Sequence, residues 1–132
     1  MALHLPAIVT LLALFLFLYT CTAVGMARTK YGVAAPATTG NLDFERIFRV
    51  QMNTLEHLVL FLPALWLFSE YVSPVWAGLV GLVWLVGRLY YAVSYIKDAK
   101  SRGPGFMIGF VALLVLMIGA AVGIVLRMMA GL

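Results

Sequence analysis

Stretches of about 20 mostly apolar residues alternate with short polar connections along this chain, and four of them are long enough to cross a bilayer: roughly 5–26, 45–68, 74–97 and 104–128. The pattern predicts an all-α integral membrane protein, a four-transmembrane-helix bundle forming a single domain over residues 1–132. Turn chemistry marks the breaks. The connection 28–44 holds Gly32, Pro36, Thr38, Thr39, Gly40 and Asn41, and Asp43 is placed to cap the helix that follows. Ser73 followed by Pro74 reads as a cap with proline at the first helical position, and Gly103 with Pro104 repeats the device before the last span. Pro63 removes a backbone donor inside the second span and predicts a kink toward its outer end. In the last span Gly105 and Gly109, then Gly119 and Gly123, recur at four-residue spacing, which permits close helix contact. Gly78, Gly81 and Gly87 add the same tendency to the third span.

The second span departs from the apolar pattern. Arg46, Arg49, Asn53 and Glu56 fall within an arc of roughly 80° on a helical wheel, with Glu45 and His57 at its margins. A charge near the middle of a membrane span costs roughly 3 kcal/mol, so such groups normally face a partner, a cavity or a ligand. The third span carries a second stripe, with Trp84, Arg88, Tyr91 and Tyr95 within an arc of about 60°. Counted from the polar ends, Glu56 lies about 16 Å along its helix and Arg88 about 14 Å along its own. Equal depth predicts a buried Glu56–Arg88 ion pair. Trp84 reads as packing, as do the methionines.

Composition narrows the class. The 132 residues are 64% hydrophobic and 11% charged, with a mean hydropathy of +1.06, which excludes an ordinary soluble domain. Among the basic residues behind the net charge of +4, Arg28, Lys30, Arg46, Arg49, Lys97, Lys100 and Arg102 gather around the first and third connections. The second connection offers only Glu70. The positive-inside rule makes those two loops cytoplasmic and points both termini outward. Cations beside or inside lipid do not form a nucleic-acid surface. The first span lacks a basic leader and is too long for a typical signal peptide, so it is expected to be retained. Cys21 is alone, lies inside that span and reads as a buried inert thiol; no metal site is expected.

Only Asp43, Glu45 and Asp98 oppose the basic cluster, so the mouth between the second and third spans suits an anionic ligand. Snorkelling to lipid phosphates accounts for Lys30, Lys97 and Lys100. It does not reach Arg49, Asn53, Glu56 and Arg88, which lie deeper.

The stretch 38–66, TTGNLDFERIFRVQMNTLEHLVLFLPALW, with its E-R-x-x-R-x-x-x-N-x-x-E pattern, resembles the signature segment of the membrane-associated proteins in eicosanoid and glutathione metabolism (MAPEG). The resemblance continues in register through Arg88, Tyr91, Tyr95 and Arg102, and the four-span layout covers the whole chain. It implies a homotrimer in a bacterial inner membrane, binding glutathione as co-substrate between adjacent subunits near the cytoplasmic side. Arg49, Asn53, Glu56, His57, Arg88, Tyr91, Tyr95 and Arg102 would bind it from one protomer, and Arg28 and Gln51 from the neighbour. Gln51 points roughly opposite the main stripe, as service to another subunit requires. Arg102 would hold the glutathione sulfur as thiolate, with Tyr95 or Tyr91 donating a hydrogen bond, for attack on a lipophilic electrophile that arrives through the membrane.

Three departures from the family pattern qualify this implication. Thr29 stands where the cysteinyl-leukotriene synthase of the family has a second arginine, which argues against leukotriene synthesis. His57 replaces a tyrosine and reads as a hydrogen-bonding substitute rather than a general base, and Val59 replaces a proline whose kink moves to Pro63. The implied activity is a microsomal-type glutathione transferase, with reduction of lipid hydroperoxides as a further activity. A non-catalytic lipid-binding or scaffold protein of the same fold is the alternative. A small multidrug exporter would need a carboxylate in the first span, which has none.

Overall fold

The computed structural model describes residues 3–98 and 103–131. Its regular elements are four helices, α1 (His4–Tyr31), α2 (Leu42–Tyr71), α3 (Pro74–Lys97) and α4 (Gly103–Met129). At 1.5 Å per residue they are roughly 36–45 Å long, more than the ~30 Å hydrocarbon layer. All four are long and apolar enough to cross it. The chain is an integral, multi-pass membrane protein.

Helix ends follow caps rather than apolar windows, because propagation needs only backbone bonds. α1 therefore runs through Arg28 and Lys30 to Tyr31, where Gly32 takes a left-handed φ of 67° and the Val33 N–H donates to the Arg28 carbonyl at 3.1 Å. α2 starts earlier than its apolar stretch. Its cap is Asn41, whose Oδ1 accepts the Phe44 N–H at 3.0 Å; the expectation that Asp43 caps this helix is corrected. Asp43 sits in the first turn instead and accepts from Arg46 Nη1 at 3.4 Å. Ser73 does cap α3, accepting the Trp76 N–H at 3.2 Å. α2 continues past Pro63 to Tyr71 without a break in helix.

α2 packs against all three other helices, α1 also meets α3, and the most extensive contact joins α3 to α4. The main core is a column of apolar side chains in which the Phe61 and Trp84 rings stack at 3.9 Å, both fully buried. Glycines set the α3–α4 distance. A methyl group on Gly87 would lie 2.6 Å from the backbone nitrogen of Gly109, and one on Gly105 would strike the backbone nitrogen of Tyr91. The Gly105/Gly109 repeat is thus a packing surface, and it brings α4 to backbone contact with the polar turn of α3.

Candidate functional site

The two polar stripes face one another. Arg49 and Asn53 from α2, Tyr91 and Tyr95 from α3 and Phe106 from α4 enclose a largely polar cavity of about 340 Å³. A second hollow of about 480 Å³ adjoins it, sharing Arg49 and Tyr95 and adding Thr38, Glu45 and Arg46. Four of the five cavity residues are positions singled out from the sequence. Phe106 was missed: on an apolar helix nothing distinguishes it, and it reaches the cavity only because Gly105 and Gly109 bring α4 in.

Arg88 lies one layer behind this cavity, 1% exposed. Its Nη1 donates to Asn53 Oδ1 at 2.8 Å and its Nη2 to Thr54 Oγ1 at 2.9 Å, while its guanidinium lies 4.3 Å from the centre of the Tyr91 ring. The expected Glu56–Arg88 ion pair is not formed. Glu56 pairs instead with Arg49, Oε1 to Nη2 at 3.6 Å, with both side chains more than half exposed. Matching depth along two helices does not ensure matching azimuth: Glu56 sits on the outer flank of α2, and the inward positions opposite Arg88 belong to Asn53 and Thr54. Thr54 was also missed. A hydroxyl beside the amide on the inward face was the available signal.

His57 is half-buried on the next turn of α2, edge-on to Phe106 at 5.3 Å between ring centres, and its Nδ1 is buried without a hydrogen-bond partner. It borders the cavity wall rather than lining it. Tyr95 and Tyr91 pack at 5.5 Å between ring centres. Gln51 points the other way, toward α1, where Nε2 donates to Cys21 Sγ at 3.3 Å. Cys21 is only half-buried, which corrects the expectation of a buried thiol. Arg28 Nη1 donates to the carbonyls of Val33 (3.3 Å) and Ala37 (2.8 Å), and its guanidinium stacks over Phe44, tying the first connection to α1. Neither Gln51 nor Arg28 lines the cavity of its own protomer. Arg102, expected to activate the thiol, lies outside the described residues, as does Lys100.

Chemically the cavity offers a guanidinium, an amide and two phenols at the edge of an apolar bundle, a donor-rich lining that suits an anionic, peptide-like guest. Residues 6–122 match the profile of the MAPEG family. An uncharacterized protein of Synechocystis sp. (strain ATCC 27184 / PCC 6803 / Kazusa) is 51% identical over 119 residues, 90% of this chain and 87% of the relative. Microsomal glutathione S-transferase 2 of Bos taurus is 41% identical over 106 residues, 80% of this chain and 73% of that protein. Leukotriene C4 synthase of Rattus norvegicus is 36% identical over 127 residues, 96% and 85% of the two chains.

Proposed function

Because the chain belongs to the MAPEG family, we propose that it is a membrane-bound glutathione transferase whose co-substrate sits in the cavity between α2 and α3. The observation that carries this reading is the convergence of Arg49, Asn53, Tyr91 and Tyr95 on one polar hollow. Arg49 meets a carboxylate of the tripeptide, Asn53 and the tyrosines supply hydrogen bonds, and Glu56 accepts from its ammonium group. His57 shapes the wall through Phe106.

The chemistry asked of the protein is small. A free thiol with a pKa of about 8.5 is only a few per cent ionised at neutral pH, and the thiolate is the nucleophile. Arg102 stabilises that thiolate by its charge, with Tyr95 donating a hydrogen bond. The sulfur then attacks an electrophilic carbon; a C–S bond forms, the leaving group departs with the electron pair, and the thiol proton goes to solvent. Reduction of a lipid hydroperoxide uses two glutathione molecules, giving the disulfide, the alcohol and water.

The active unit is a homotrimer in a bacterial inner membrane, with the cavity end cytoplasmic and both termini outside. This assembly gives Arg28 and Gln51, which face away from their own cavity, a role in the neighbouring one. The test is direct. Protein purified in detergent is mixed with glutathione, and thiolate absorbance and conjugation to a chlorinated nitroaromatic are followed. Wild type should give both signals, and Arg102→Ala should lose the thiolate while staying assembled. Glutathione binding without ionisation or conjugation would favour a non-catalytic scaffold instead.

A further inference from the structure

We propose that Arg88 is the electrostatic anchor of the cavity and acts on the bound anion through Asn53, whose amide relays its charge. The proposal rests on the reading of this cavity as an anion site. Three observations carry it. Arg88 is 1% exposed, yet among the described residues no carboxylate pairs with it; its two hydrogen-bond acceptors, Asn53 Oδ1 and Thr54 Oγ1, are neutral. Its Nε is buried with no hydrogen-bond partner among the described residues. A guanidinium has donors only, so the Asn53 atom 2.8 Å from Nη1 has to be the carbonyl oxygen. The amide orientation is thereby dictated.

Two consequences follow. With its oxygen committed to Arg88, Asn53 presents its NH₂ group to the cavity it lines, and that group recognises an acceptor such as a carboxylate, not a donor. The chain guanidinium, amide, anion is a run of aligned hydrogen bonds in which each polarises the next, at a depth where screening is weak. Arg88 is also a buried positive charge with no counter-ion among the described residues until a ligand arrives. An anion in the cavity supplies it, so Arg88 is a positioning residue that never touches the guest.

Replacing the amide by its isosteric acid separates stability from binding. Asn53→Asp places a carboxylate against Arg88, completing an internal ion pair, and turns the same group from a donor into an acceptor toward the cavity. The ligand-free variant is expected to melt several degrees above wild type in detergent, while its glutathione affinity falls at least about ten-fold, the worth of a hydrogen bond to a charged group. Both quantities are read by thermal unfolding with glutathione and, separately, with glutarate as a simple dicarboxylate probe. Heat protection of wild type and of Asn53→Asp to the same degree by both probes, or by neither, would overturn the proposal. Selective protection of wild type by glutarate but not by glutathione would keep the anion site and remove the glutathione reading. Protection of both proteins by glutathione alone would keep that reading and remove the relay.

A second pair of variants isolates the charge. Arg88→Lys keeps a cation and a donor for Asn53 and should hold glutathione affinity within a few-fold of wild type. Arg88→Gln keeps a donor without the charge and should lose about ten-fold. Equal affinities for these two would make Arg88 a structural residue only.

Discussion

Gly105→Ala tests whether the glycine contact between α3 and α4 sets the site. An added methyl carbon would lie against the Tyr91 backbone nitrogen, 2.7 Å from Tyr91 Cα and 2.8 Å from Tyr90 Cδ1. Carbon atoms settle about 3.5–4.0 Å apart, so the helices have to part by roughly 1 Å. No rotamer change relieves this, because two of the three obstacles are backbone atoms. Overpacking costs typically about 1–3 kcal/mol, and the better helix propensity of alanine returns up to about 1 kcal/mol. With backbone in the way the upper part of the range applies, leaving a net loss of about 2 kcal/mol, or roughly 6–10 °C in melting temperature for a chain of this size. Phe106 is the next residue and forms one cavity wall, so glutathione affinity should fall several-fold as well. Gly103→Ala is the control, since a methyl group there meets none of the described residues within 4 Å. The measurements are thermal unfolding by circular dichroism in detergent and glutathione titration. A Gly105→Ala protein as stable and as tight-binding as wild type would refute the idea that this contact positions the wall.

Trp84→Ala removes a fully buried ring stacked on Phe61 and should cost about 3–5 kcal/mol by equilibrium unfolding; a loss under about 1 kcal/mol would deny Trp84 its place in the core. Asn41→Ala should cost about 1 kcal/mol through loss of the α2 cap, while Asp43→Ala changes little, and the reverse order would restore Asp43 as the cap. Glu56→Gln breaks an ion pair that is more than half exposed, so stability should move by less than about 1 kcal/mol. Its glutathione affinity should drop, and an unchanged affinity would take Glu56 out of the site.

Features decided within one or two helical turns were legible in the sequence, and features decided by neighbours were not. Ser73 caps α3 because an oxygen three residues before an unsatisfied N–H needs no tertiary help. The stripe Arg49, Asn53 and the stripe Tyr91, Tyr95 likewise share faces by periodicity alone, and the cavity they line follows once the faces meet. Periodicity gives a residue its depth and its own helix face, but not the angle at which another helix presents its side chains. That is why Glu56 stood as the partner of Arg88 when Asn53 and Thr54 hold it. An arginine paired with glutamate would be electrically complete; one held by an amide and a hydroxyl keeps its charge available. A buried cation without a counter-ion is costly for stability alone, so neutral acceptors at this position make sense where the missing charge arrives with a ligand.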